Sequence, residues 1–250
     1  MRYFIRFAYK GTSFHGSQTQ PNGVTVQETM EQAFATILRT PVALTFAGRT
    51  DAGVHAEQMV AHFDWPKDLP ANLVGRLNNL LPASIAVEAI NPVVDDAHAR
   101  FDATSRTYHY RITMRKDPFL SETRTRLSGT LDFEAMNRAA AHLLGVHDCA
   151  SFCRTHTDVK TTICDVREAR WIRENDHEAT FVITADRFLR NMVRAIVGTL
   201  LEVGRGKLTE QQFQAVILAQ DRRAAGHSAP AEGLFLVNIT YPEHIYFCAI

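Results

Sequence analysis

The sequence predicts an α/β (α+β) fold of two mixed α/β domains, residues 1–103 and 104–250, whose largely antiparallel sheets abut and share a cleft. Segments typical of strands and of helices alternate in both halves, which favours layers of helix on sheet. A chain of 250 residues with 46% apolar content can bury two cores, because domains usually run about 100–150 residues. Since no low-complexity linker separates the halves, we expect their sheets to lie against each other.

The first half opens with a strand and a capped helix. Apolar residues alternate at period two in RYFIRFAY and predict a strand over 2–9. Thr25 and Glu28 form the pattern of a capping box, which predicts the start of an amphipathic helix that ends before Pro41. The remaining elements predicted for this half are strands over 42–47 and 57–64, a helix over 71–80 and a strand over 84–90.

The second half repeats this mixture. Its elements are a strand over 107–114, a helix over 132–144, strands near 162–173 and 178–186, helices over 188–203 and 210–219, and a last strand over 233–241. The helix over 188–203 would place Arg190 and Arg194 on one face, four residues apart. Arg194 lies near the rim of the apolar stripe, where an unpaired guanidinium is costly, and Asp51 is a candidate partner.

Composition excludes several classes of protein. Lys plus Arg equals Asp plus Glu at 27 each, so no global charge indicates a nucleic-acid or membrane partner. The apolar runs are shorter than the roughly 20 residues of a membrane span, and strand-like sequence stands where a signal peptide would, so we expect a cytoplasmic protein. The cluster His147, Cys149, Cys153 and His156 matches none of the usual zinc spacings, and we expect reduced cysteines and no metal.

The stretch AGRTDAGVHA places an acid, a base and an imidazole on a glycine-flanked turn between two predicted strands. The carboxylate of Asp51 suits a nucleophile or general base, although aspartate also caps turns through its own backbone. A hydrolytic metal centre that adds His55, His62 and Asp64 is a weaker alternative. Two of its members, His62 and Asp64, lie on one strand face, whereas Asp51 lies across a turn.

Residues 100–126 combine basic and aromatic side chains. Seven basic residues stand there against three acids, and residues 187–207 add five more against Glu202. The interleaved aromatic residues are Phe101, Tyr108, Tyr110 and Phe119. Such a pattern suits RNA, with charges on phosphates and rings stacking on bases. An ordinary strand face with solvated arginines and core tyrosines is the alternative.

The segment GRTDAGVHA resembles the signature of the A-type tRNA pseudouridine synthases, which isomerise uridines in the anticodon arm. Six more segments are similar to the same family in the same order, and the resemblance spans residues 3–242. These segments are VTVQETMEQAF, LNNLLPASIAV, DDAHARFDAT, RTYHYRI, FLRNMVRAIVGTLLEVG and AEGLFLVNITYP.

The resemblance implies roles for individual residues. Asp51 matches the catalytic aspartate, Tyr108 the active-site tyrosine, and Arg194 the arginine that pairs with the aspartate. Arg49 matches the residue that helps displace the target base, and Leu234 an apolar side chain near the catalytic centre. The implied substrate-binding set is Arg49, His55, Tyr108 and Leu234.

The resemblance also implies the partners. The expected fold surrounds a basic active-site cleft, and the expected substrate is the tRNA anticodon stem-loop, modified at uridines 38, 39 and 40. We expect a homodimer that needs no metal or cofactor. The residues leave open whether Asp51 attacks the sugar, attacks the base or takes a proton from the ribose.

One loop departs from the family pattern. In HGSQTQ, Ser17 stands where the family commonly has a tryptophan, and Thr19 where a basic residue is frequent. This removes a stacking ring and a charge from the part of the loop expected to grip RNA. The alternatives are a non-catalytic RNA-binding or chaperone protein on the same scaffold and, more distantly, a metal-dependent phosphohydrolase. The presence of Asp51, Tyr108 and Arg194 favours the enzyme.

Overall fold

The computed structural model describes residues 1–21, 23–154 and 160–247, and these form five α-helices and ten strands. The chain divides into two compact units. Unit 1 contains Met1–Thr104 together with the chain from Leu236 onward, and unit 2 contains Ser105–Phe235. The predicted α/β class with largely antiparallel strand pairing is confirmed, and one short pair of strands in unit 2 is parallel.

Unit 1 is a sheet with two helices. Its strands are β1 (Arg2–Tyr9), β2 (Thr45–Phe46), β3 (His55–Asp64), β4 (Ile85–Val93) and most of β10 (Leu234–Thr240), and its helices are α1 (Val26–Leu38) and α2 (Leu73–Leu80). β1 lies between β3 and β4 and pairs antiparallel with both, while β2 pairs with the other edge of β3. Phe34 of α1 packs edge-on against Phe63 of β3 with ring centroids 5.1 Å apart, so α1 covers this face of the sheet.

The start of α1 follows the predicted cap. The Thr25 side chain accepts a hydrogen bond from the backbone N–H of Glu28 at 3.3 Å. The helix ends at Leu38, where Arg39 adopts the left-handed conformation with φ 55°. The first turn of α1 is therefore fixed at the point where the chain leaves the loop over residues 10–24.

Unit 2 repeats the arrangement. Its strands are β5 (Ser105–Thr113), β6 (Thr125–Arg126), β7 (Gly145–Asp148), β8 (Ile163–Arg173) and β9 (Glu178–Ala185), and its helices are α3 (Phe133–Ala141), α4 (Met192–Gly204) and α5 (Glu210–Ala219). β9 pairs antiparallel with β5 and β8, β7 pairs with β8, and β6 runs parallel to β5. Trp171 and Phe181 pack at 5.3 Å, and Phe133 of α3 covers Trp171 at 5.9 Å.

The structure corrects one predicted helix start. The helix expected over 188–203 begins at Met192, because Asn191 adopts the left-handed conformation with φ 66°. Arg190 therefore precedes the helix, and its carbonyl accepts from Arg154 N at 3.1 Å. The prediction that Arg190 and Arg194 share one helix face is wrong.

Two strand predictions also change. The strand expected over 42–47 shortens to β2, because the Leu44 N–H donates to the Glu31 side chain at 2.9 Å instead of to a neighbouring strand. The strand expected over 57–64 begins earlier, at His55. Over residues 1–21, 23–154 and 160–247, no helix is long and apolar enough to cross a membrane.

Candidate active site

Asp51 occupies the first position of a tight turn in unit 1. The Val54 N–H donates to the Asp51 carbonyl at 3.2 Å, which closes the turn over four residues. Gly53, the third residue, has φ +79°, as a type II turn requires, and this conformation favours glycine. Asp51 is half-buried and Ala52 is exposed, so the turn lies at the surface of the unit.

Thr50, the residue before Asp51, is held by three hydrogen bonds. Its side chain and backbone are 4% exposed. Its N–H donates to Ser17 Oγ at 2.8 Å, and its carbonyl accepts from Ser17 N at 3.2 Å. Its hydroxyl lies 2.8 Å from the Tyr9 hydroxyl. The backbone that enters the Asp51 turn is therefore fixed by two other segments.

Arg49 and His55, the other two residues singled out in AGRTDAGVHA, differ in exposure. His55, the first residue of β3, is 1% exposed, and its Nδ1 accepts from Gly11 N at 3.0 Å. Arg49 is exposed, and its guanidinium donates to Gln20 Oε1 at 3.2 Å. Within this one segment Arg49 is thus exposed, Asp51 half-buried and His55 buried.

Tyr108 and Tyr110 lie two residues apart on β5 but have different surroundings. Tyr108 is half-buried, and its ring lies edge-on to Phe188 at 5.0 Å. Tyr110 is fully buried; its hydroxyl lies 2.7 Å from Thr125 Oγ1 and donates to the Pro230 carbonyl at 3.0 Å. Burial raises the pKa of Tyr110, so this phenol stays neutral and has a structural role.

Arg194 is the third residue of α4 and is held by the segment over residues 226–231. Its Nε donates to the Ala229 carbonyl at 2.7 Å, and its own carbonyl accepts from Ala229 N at 2.9 Å. This close approach requires Gly198, since a Cβ there would overlap the carbonyl oxygen of His227. The same segment leads into Leu234, which is 6% exposed and donates its N–H to the Ala231 carbonyl at 2.9 Å.

The basic and aromatic residues over 100–126 divide into two groups. Arg115 and Arg124 both form ion pairs with Glu178, at 3.8 and 2.9 Å. Phe101 and Phe119 are 73% and 93% exposed. The accessible rings are therefore on turns, whereas part of the predicted basic stripe pairs with an acid distant in sequence.

The described residues show no group of three or more His, Cys, Asp or Glu side chains that could hold a metal ion. Within the cluster over 147–156, His156 lies outside the residues that the structure describes. His62 accepts a hydrogen bond from Ala99 N at 3.1 Å. Burial, with the positive charge of Arg2, lowers the pKa of His62 to about 4.

The sequence reasoning missed the residues that hold the motif. The sequence predicts at Ser17 only the loss of a stacking ring, yet Ser17 is fully buried and its Oγ accepts from the Thr50 N–H. Thr50 itself carried no assigned role. No local signal marked their burial, because Ser17 stands between Gly16 and Gln18 and Thr50 between Arg49 and Asp51, surroundings typical of an exposed loop. The partner of each was not readable, since 33 residues separate them.

Comparison with known proteins defines the class. A family model described as tRNA pseudouridine synthase matches residues 139–242. The chain is 57% identical to tRNA pseudouridine synthase A of Parabacteroides distasonis, over 98% of both chains. It is 56% identical to the protein of that name from Bacteroides thetaiotaomicron, over 98% of this chain and 92% of the relative. For the Bacillus subtilis protein of that name the identity is 39%, over 96% and 99%.

The α/β fold, the turn over Asp51–Val54 (the motif turn) and these matches together define a tRNA pseudouridine synthase, an isomerase acting on uridine in tRNA. Because identity extends over nearly the full length of both chains, the match covers the motif turn as well as unit 2. The chain belongs to the tRNA pseudouridine synthase A family.

Proposed function

We propose that this enzyme converts uridines 38, 39 and 40 of the tRNA anticodon stem-loop to pseudouridine, with Asp51 as the catalytic residue. The supporting observation is the turn that holds the half-buried Asp51 on a fixed backbone. A carboxylate that merely capped a turn would not need three hydrogen bonds to anchor the residue before it. The comparisons give no support to a non-catalytic binding protein.

The reaction breaks two bonds and forms two. The bond between ribose C1′ and uracil N1 breaks, the base rotates, C1′ bonds to C5, and the hydrogen of C5 is replaced by one on N1. No redox change or hydrolysis occurs, so the product is an isomer of the substrate. Asp51 supplies the nucleophile or base that such a sequence needs.

The target nucleotide must first leave its stack, at a cost of a few kcal/mol. We assign Arg49 to occupy the vacated space, since its side chain is exposed beside the turn. Tyr108 supplies the ring against which the extruded base stacks, and Leu234 an apolar wall. Arg194, held through Ala229, has the role of the arginine partner implied by the resemblance.

Two properties of the working enzyme belong to the proposal. The homodimer and the cytoplasmic location are inferred from the family resemblance and from a tRNA substrate. Sedimentation of the purified protein at micromolar concentration tests the dimer, which would double the mass of 28.1 kDa.

Asp51→Asn tests the catalytic assignment. The amide keeps the shape of the carboxylate and removes its charge and basicity, so we expect pseudouridine formation to fall at least about 1,000-fold. The tRNA dissociation constant should change less than threefold. The matched control is Asp176→Asn, because the Asp176 side chain is 96% exposed in unit 2. Pseudouridine is mapped by sequencing tRNA from cells that carry each variant. Pseudouridine formed by this enzyme outside tRNA positions 38–40 would contradict the assigned positions.

A further inference from the structure

Ser17 connects the Asp51 turn to the start of α1. The Gly16 carbonyl accepts from Val26 N at 3.3 Å, and the Ser17 carbonyl accepts from Gln27 N at 3.0 Å. These two N–H groups belong to the first turn of α1, where no partner exists within the helix itself. Gly16 and Ser17 are thus held by the helix on one side.

On the other side, the same two residues hold Thr50. Ser17 forms two hydrogen bonds with the Thr50 backbone, through Oγ at 2.8 Å and through its own N–H at 3.2 Å. Gly16 has φ +94°, and a Cβ there would lie 2.8 Å from the Thr50 carbonyl oxygen. The backbone of Gly16 therefore lies close to the Thr50 carbonyl, with no space for a side chain at Gly16.

Ser17 is fully buried, so its hydroxyl is unavailable for contact with RNA. A tryptophan, which the resembled family commonly has here, could not replace this hydrogen bond, because an indole donates a hydrogen bond and accepts none. The departure from the family pattern thus supplies an acceptor for the Thr50 N–H, next to Asp51.

We propose that Ser17 is a positioning residue for the reaction: its backbone is held by the first turn of α1, and its hydroxyl fixes the Thr50 backbone and through it the orientation of the Asp51 carboxylate. This role rests on the proposed function of Asp51. His55 fixes the far side of the same turn, where its Nδ1 accepts from Gly11 N. A displacement of about 1 Å in a reacting group can cost 100-fold in rate.

Ser17→Ala tests the proposal, with Ser151→Ala as the matched control. Ser151 is also fully buried and its hydroxyl also accepts from a backbone N–H, that of Asp221 at 3.0 Å, but it lies in unit 2 near α5. Both variants lose one buried hydroxyl. The measurements are the single-turnover rate constant at saturating tRNA, the tRNA dissociation constant and the exchange rate of the Thr50 amide proton.

We expect Ser17→Ala to lower the single-turnover rate about 10- to 100-fold, to leave the dissociation constant within threefold, and to speed exchange of the Thr50 amide. Ser151→Ala should keep the rate within threefold. A Ser17→Ala rate no lower than that of Ser151→Ala overturns the proposal, as does a loss confined to tRNA affinity. If Ser17→Ala does not fold, Ser17→Cys, which fills the site with a weaker acceptor, is measured in its place.

Asp51→Asn in the same assay separates this proposal from the one on which it rests. An active Asp51→Asn variant removes the catalytic assignment of Asp51, whatever Ser17→Ala does. An inactive Asp51→Asn variant together with an unaffected Ser17→Ala variant removes the positioning role of Ser17 alone.

Discussion

At the scale of single residues, neighbouring tyrosines show what a strand pattern can and cannot predict. Tyr108 and Tyr110 point to the same face of β5, since Tyr108 pairs with Ile183 and Tyr110 with Phe181. The strand predicted over 107–114 implies this shared face, because residues two apart in a strand lie on one side of the sheet. The strand pattern could not predict that Pro230 and Thr125, far along the chain, would close over Tyr110 and leave Tyr108 half-open.

We expect the two tyrosines to respond in opposite ways to substitution. Tyr108→Ala should slow pseudouridine formation about 5- to 150-fold, because stacking of a base on an aromatic ring contributes about 1–3 kcal/mol. Tyr108→Phe keeps the ring and should stay within about threefold of the parent enzyme. Single-turnover rates measure both. If the two variants are equally slow, the Tyr108 hydroxyl takes part in the reaction, and base stacking is not the main role of Tyr108.

Tyr110→Phe is the control for this comparison. It removes a buried hydroxyl and leaves the Pro230 carbonyl without that donor, so unfolding should cost about 1–3 kcal/mol less. The rate at saturating tRNA should remain near that of the parent enzyme, measured well below the unfolding temperature.

At the scale of elements, most helices and strands were predictable because their signals are local. The Thr25 cap, the alternation in β1 and the apolar stripe of α4 each lie within a few residues. The start of α4 was not predictable, since the left-handed turn at Asn191 is fixed by a hydrogen bond from its side chain to Ser228, 37 residues away. The same holds for the Ser17–Thr50 contact in the candidate site.

Gly198 is the element-scale test of how α4 holds Arg194. Replacement of a helical glycine by alanine usually stabilises a helix by about 1 kcal/mol. In Gly198→Ala, however, the new Cβ meets the His227 carbonyl, which is backbone and cannot move aside cheaply. We expect a net loss of about 1–3 kcal/mol in the free energy of unfolding and a slower reaction, because the 226–231 segment must shift away from Arg194.

Gly75→Ala is the matched control in α2. The Cβ there meets the end of the exposed Asn72 side chain, which can rotate away. We expect unchanged or increased stability, measured by urea unfolding, and an unchanged rate. Equal stability of the two alanine variants would mean that the 226–231 segment yields without cost and does not fix Arg194.

At the scale of the whole molecule, some ion pairs join residues that are distant in sequence. Arg2 forms a two-pronged ion pair with Asp64 at 2.8 Å, and the guanidinium of Arg124 reaches Glu178 at 2.9 Å. The equal numbers of acids and bases were visible in the sequence, whereas the pairing was not, because it follows from strand register. Near Arg2 lies His62, the buried histidine whose pKa falls to about 4.

His62 should make stability depend on pH in a defined window. In the unfolded chain a histidine titrates near about 6.5, whereas in the folded protein His62 has a pKa of about 4, chiefly through burial and the charge of Arg2. Between these values the unfolded chain binds a proton that the folded protein does not. The contribution of neutral His62 to the free energy of unfolding is therefore complete above pH ~6.5. It declines as the pH falls toward ~4, by at most about 3 kcal/mol.

His62→Asn isolates this contribution, since the amide oxygen can still accept from Ala99 N and no longer titrates in this range. Trp65 lies three residues from His62. When both proteins carry Trp171→Phe as a common background, the fluorescence of Trp65 is the sole tryptophan signal. Urea unfolding at pH 7.0 and 4.5 should show a larger loss of free energy for the protein with His62 than for His62→Asn. His98, whose pKa is also lowered by burial, is present in both and cancels. Parallel losses in the two proteins would mean that His62 takes up its proton without unfolding, and that acid destabilisation begins elsewhere in the molecule.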